Sequence, residues 1–174
     1  EQPSILPNVR YKRMDAMDLD LPAESMDVVV SFENIEHLPA PERFLRGAAQ
    51  ILRSDGLLII STPKVPQPNH APANPFHRIE WSLDDFNALL ARYFGYTEAY
   101  GQSKGGTSAW VQVLGKTLGP IKNLIPRSWA TPLLRRVGSV PCEDASMDDW
   151  AVARSKLCDN CVMVFVCSEP LKPF

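Results

Sequence analysis

Residues 26–63, MDVVVSFENIEHLPAPERFLRGAAQILRSDGLLIISTP, constrain the fold more than any other stretch of the chain. Val28, Val29 and Val30 form a continuous β-branched run, the pattern of a strand buried on both faces. Pro41 fits the first turn of a helix that carries Phe44, Leu45, Ala48, Ala49, Ile51 and Leu52 at helical spacing. Asp55-Gly56 predicts a turn using positive φ. Leu57–Ile60 is a second buried run, closed by Pro63. Two buried strands joined by one helix make a right-handed βαβ unit of a parallel sheet. Ligands of such sheets sit beyond the carboxyl ends of the strands. Ser31–His37 and Ser61–Lys64 occupy those ends and are where chemistry is expected.

The rest of the chain builds around this unit. Val9–Met14 alternates imperfectly and predicts a short strand near an edge, followed by Asp15-Ala16-Met17. Lys64–Pro75 contains Pro66, Pro68, Pro72 and Pro75 and predicts a mobile or extended loop above the sheet. Ser82 is an N-cap and Asp85 its capping-box partner for a helix burying Phe86, Leu89, Leu90 and Tyr93. Tyr96–Tyr100, after Gly95, and Val162–Val166 predict two further strands that pair as an antiparallel edge. With 174 residues the expectation is a single α/β domain, 1–174, with a core of 1–102 and 156–174 and an inserted cap at 103–155.

Charge is unevenly placed. Ser103–Cys142 carries Lys104, Lys116, Lys122, Arg127, Arg135 and Arg136 with no acidic residue, although the whole chain is −2. Such a segment is either a solvated helical face or a surface for an anion; as a cap it favours an amphipathic anionic substrate. Cys158 and Cys161 form a lone C-x-x-C, flanked by Cys142 and Cys167, where zinc ribbons require two such pairs. Buried thiols of a reduced cytoplasm are the expectation. No run of about eighteen apolar residues is present, so no spanning helix is expected.

Glu33, Glu36 and His37 stand at i, i+3 and i+4, and on one helical turn they share a face. His77 falls on the proline-rich loop over the same strand ends. Two carboxylates and two imidazoles can hold a divalent metal with open positions. Three readings of this set stand: a metal site, a metal-free base in which His37 deprotonates a hydroxyl, and structural roles. In the last, the glutamates stabilise a helix N-terminus and His77 packs on Trp81. By ligand softness the set suits manganese or zinc better than magnesium.

Asp27 at a strand start, the Glu-His turn, the helix, Arg53-Ser54-Asp55-Gly56 and the closing Ser-Thr-Pro together resemble class I S-adenosylmethionine-dependent methyltransferases of the broad small-molecule type. The resemblance covers most of Val9–Gln102 and weakly the last strand. It implies a Rossmann-like sheet, N-terminally truncated and with an antiparallel C-terminal edge. It also implies cofactor roles for Met14-Asp15-Ala16: the Asp15 carboxylate accepts from the adenine amino group and the Ala16 amide donates to the ring. Met17 belongs to the same turn, and Phe32 lines the methionine end. The family's glycine-rich loop and its ribose-binding acid are expected upstream of Glu1, which makes this the C-terminal part of a methyltransferase. The strands that go with them normally separate Val9–Met14 from Asp27–Val30. A partner strand, a swapped dimer or direct pairing of those two segments is expected to fill the gap.

Glu33-x-x-Glu36-His37 followed by His77-Arg78-Ile79-Glu80-Trp81 resembles the small-RNA 2′-O-methyltransferases, whose equivalent residues hold magnesium on a terminal ribose diol. The ubiquinone-pathway O-methyltransferases share the first part and act on catechols. These resemblances imply methyl transfer to an oxygen of a small molecule or terminal ribose, assisted by magnesium, manganese or zinc. The alternative from another class is a non-catalytic methyltransferase-fold module that associates with a partner chain.

Overall fold

The computed structural model describes residues 7–104, 150–154 and 162–172. The chain divides into two compact units, Glu1–Ala99 with Val162–Phe174, and Tyr100–Cys161. The cap sequence at 105–149 and three cysteines, Cys142, Cys158 and Cys161, lie outside the described residues.

The first unit is built on the expected βαβ. Strand β1 (Met26–Ser31) leads through a 3-10 turn (Ile35–His37) and helix α1 (Pro41–Ile51) into β2 (Leu52–Pro63). β1 and β2 are parallel, with Val28 opposite Leu57 and Ser31 opposite Ile60. Their carboxyl ends are therefore neighbours. Pro41 opens α1, and Phe44, Leu45, Ala48, Ala49 and Ile51 form its buried stripe, as the spacing predicts.

The sheet of this unit runs β1-β2-β5-β3, where β3 is Phe94–Lys104 and β5 is Val162–Pro170. β5 is antiparallel to β2 and buries Met163, Phe165 and Cys167 between its half-exposed residues. Cys167 is a free thiol, and burial pushes it up to about 12, so it is inert packing. Helix α2 (Leu83–Leu90) covers this region. Its Ser82 cap accepts from the Asp85 amide at 3.2 Å and bonds the Asp85 carboxylate, the expected box. Phe86 stacks between Trp81 and Phe165, with ring centroids 5.2 and 5.4 Å away. In the second unit, Gly101–Lys104 pairs antiparallel with β4 (Trp150–Ala153).

Three expectations are corrected. β1 is not buried on both faces: among the described residues it is the edge strand, and Val28 and Val30 are 47% and 56% exposed. Val9–Met14 makes no ladder; only an isolated bridge links Asp15 and Asp18, so this segment does not pair directly with β1. Gly56 takes no positive φ. It lies in a bulge where β1 advances from Met26 to Val28 while β2 advances from Leu52 to Leu57. A Cβ on Gly56 would stand 2.9 Å from Leu52 Cδ2 and 3.0 Å from the Arg53 carbonyl oxygen, so close approach accounts for the glycine. The proline-rich loop, expected to be mobile or extended, is tied back by backbone hydrogen bonds. Val65 donates to Trp81 O at 3.1 Å, and Asn69 and Glu80 exchange two backbone hydrogen bonds of 2.9 Å.

Candidate functional site

The two parallel strand ends bring Ser31–His37 beside Ser61–Lys64. At the end of β1 the backbone turns sharply. Glu33 takes φ 47°, a left-handed conformation that non-glycine residues seldom adopt and that functional sites often retain. Its amide donates to Ser61 O and Ser61 Oγ, both at 3.2 Å, and its carboxylate accepts from Ser61 Oγ at 2.7 Å. Ile35–His37 then makes one 3-10 turn. Pro39 forces Leu38 to an extended ψ of 134°, so the turn cannot continue as a helix. The expected shared helical turn is thus split: Glu33 precedes it and Glu36 and His37 lie within it.

Glu36 is 1% exposed, and one oxygen accepts from Thr62 Oγ1 at 3.1 Å. Its other oxygen lies 3.9 Å from His37 Nε2. His37 Nδ1 is 2.9 Å from the Phe76 carbonyl oxygen. A carbonyl can only accept, so Nδ1 carries a hydrogen, and in the neutral ring Nε2 holds the lone pair. His77 repeats the arrangement, with Nδ1 2.7 Å from Glu80 Oε1. The two imidazoles meet edge to face at 5.0 Å. One ligand atom from each of Glu36, His37 and His77 lies within 4.8 Å of the others.

The structure therefore gathers three of the four residues singled out for the reacting end. Glu33 stands beside them, held by Ser61. Partial burial of its carboxyl raises its pKa, the Ser61 hydrogen bond opposes the rise, the Glu36 charge adds to it, and His77 and His37 oppose it. The loop reaches the cluster because Arg78 N donates to Glu36 O at 2.8 Å and His77 N to Asn74 O at 3.1 Å. Thr62 and Glu80 act on the cluster through their hydrogen bonds. Glu80 was visible as the i+3 partner of His77; Thr62 depends on strand pairing and had no local signal.

At the expected cofactor end, Asp15 Oδ1 accepts from Met17 N at 2.9 Å, and Asp18 N donates to Asp15 O at 3.0 Å. This Asx-type turn fixes Ala16 and Met17 and leaves the second Asp15 oxygen for another donor. Phe32 follows β1 directly and is 57% exposed. No hydrogen bond links Asp15–Met17 to Phe32 among the described residues.

The methyltransferase-domain family profile matches residues 1–60, which contain β1, the 3-10 turn, α1 and most of β2. Over this stretch the chain is similar to the methyltransferase-domain family. A probable S-adenosylmethionine-dependent methyltransferase of Mycobacterium tuberculosis strain H37Rv is 43% identical over 89 residues, 47% of this chain and 32% of that protein. A counterpart from Mycolicibacterium smegmatis is 36% identical over 89 residues, covering 47% and 35%. The match thus spans about a third of the length of these curated relatives.

The methyltransferase fold extends further than the sequence match. A methyltransferase of Thermotoga maritima, described as a histamine N-methyltransferase candidate, superposes with a TM-score of 0.55 at 13% identity, over 90% of this chain and 62% of that one. The [4+2]-cyclase SpnF gives 0.50 at 13%, over 92% and 56%. One fold carrying such different titles leaves the reaction to be argued from the site.

Proposed function

We propose that this methyltransferase-domain chain supplies the acceptor side of an S-adenosylmethionine-dependent O-methyltransferase, acting on a hydroxyl of a small molecule or terminal ribose. The carrying observation is the Glu36–His37–His77 cluster with both Nδ1 atoms occupied by acceptors. That arrangement presents two imidazole lone pairs beside a buried carboxylate, the donor set of a two-histidine, one-carboxylate metal site. The donors fit a divalent ion, and two nitrogens favour manganese or zinc over magnesium. Such an ion would supply positive charge that stabilises the deprotonated hydroxyl.

S-adenosylmethionine, when bound, supplies an electrophilic methyl on sulfonium. The fit at this end is the second Asp15 oxygen for an amino donor, the Ala16 amide held in the same turn, and the exposed Phe32 ring. Glu33 is placed to receive the acceptor's proton: its raised pKa makes it a better base than an ordinary carboxylate. Ser61 orients that carboxylate, and Thr62 orients Glu36. The remaining requirement is an in-line, dehydrated approach of oxygen to methyl.

Transfer of labelled methyl to hydroxyl acceptors, measured on the whole protein, tests this. His37→Ala should lower turnover by roughly a hundredfold or more while cofactor affinity stays within about twofold. Unchanged turnover removes His37 from the mechanism. One observation favours the alternative, an association module: the exposed Val28 and Val30 on an edge strand. A protein that binds S-adenosylmethionine and methylates a hydroxyl acceptor contradicts that alternative.

A further inference from the structure

His37 and His77 open into a cavity of about 580 Å³ formed with the pinned loop. Its lining has an unusual composition. All three histidines of the chain contribute to it, together with Asn74 and Arg78, and among the described residues no carboxylate does. His70 and Arg78 belong to no described element of the fold core, and their side chains are exposed. Among the described residues the Arg78 guanidinium makes no ion pair, although Asp and Glu outnumber Lys and Arg in this chain.

Backbone hydrogen bonds fix the loop that carries these donors. Arg78 is fixed at its backbone by Glu36 O, and the Asn69–Glu80 pair closes the loop beneath it. Asn74 uses its carboxamide oxygen to accept from Phe76 N at 3.0 Å, which orients the amide and leaves its NH2 as a donor. A guanidinium, an imidazole N–H and a carboxamide NH2 from three residues offer more donors than a carboxylate's two oxygens require. They match the three terminal oxygens of a phosphate, for which arginine is a bidentate partner. The cavity volume is that of a small-molecule site.

We propose that this cavity binds the phosphate group of a small phosphorylated alcohol through Arg78, His70 and Asn74, with the alcohol's hydroxyl directed to the Glu33, Glu36, His37 and His77 cluster. The fate of the hydroxyl rests on the methyl-transfer reading; the phosphate contact does not. Arg78 and His70 then set specificity, and the adjoining cluster sets reactivity.

The test is a titration of the metal-free chain with inorganic phosphate, followed by NMR of the three histidine rings, with chloride and acetate at matched ionic strength. Phosphate should shift His70 saturably, and chloride and acetate should not. Arg78→Gln should weaken phosphate by roughly tenfold or more, with Arg78→Lys between it and the native chain. An unsaturable shift, equal binding of acetate, or unchanged affinity in Arg78→Gln overturns the proposal. A chain that binds phosphate in this way while the whole protein transfers no methyl to oxygen retains the subsite and loses the O-methyltransferase reading. The reverse outcome removes only the subsite.

Discussion

Glu33 carries the most specific consequence at the scale of single residues. Its carboxyl is partly withdrawn from water and accepts from Ser61, and its pKa lies above the ordinary value of 4.5, mainly through that burial. The native chain therefore holds this proton to higher pH than the unfolded chain does. Stability contributed at this position is greatest in acid and falls as pH rises from about 4.5 through the raised native value. Glu33→Gln, whose amide oxygen can still accept from Ser61, should remove that fall. Urea unfolding of metal-free protein across mildly acidic to neutral pH should show the variant gaining on the native chain; parallel curves contradict the raised pKa. Part of this site was legible in the sequence. The spacing of Glu36 and His37 and the return of His77 were visible as residue types. The left-handed turn at Glu33 was not, because nothing in Phe-Glu-Asn forces it. It arises from Ser61, 28 residues away, which accepts from the Glu33 amide and donates to its carboxylate.

At the scale of elements, local signals fared best where one residue decides the matter. Pro41 and Ser82 start their helices where the capping rules place them, and the apolar stripe of α1 is the buried face. The β-branched run of β1 identified a strand but not its burial, since burial depends on what lies beside and above it. The strand expected at Val9–Met14 failed for a related reason: alternation supplies a face, and pairing needs a neighbour. Long-range caps were also invisible. Lys172, beyond β5, donates to Ala49 O at 3.1 Å and to Leu52 O, and its ammonium lies 3.5 Å from Glu24. These are carbonyls at the open end of α1, where a cation also meets the negative end of the helix dipole. Lys172→Ala should destabilise the chain by about 1 kcal/mol, read from the denaturation midpoint at constant slope. An unchanged midpoint would show that water replaces the ammonium without cost.

At the scale of the molecule, the parallel β1–α1–β2 unit does the organising. It sets two strand ends side by side, and everything assigned to the reacting end is either on those ends or on the loop that Glu36 O and Trp81 O tie down. The methyltransferase-domain match covers most of this unit, while the curated relatives extend well beyond it. Sheet order and the antiparallel β2–β5 pair complete a fold that the resemblance implied and periodicity alone did not. We propose Glu36, His37 and His77 as a divalent-metal site. Titration of the chain with manganese(II), read by electron paramagnetic resonance, tests it most directly. The account predicts one saturable site per chain, weakened by roughly tenfold to a hundredfold or more in His37→Ala and in His77→Ala. Manganese that stays in solution, or that binds equally well after both substitutions together, would contradict it.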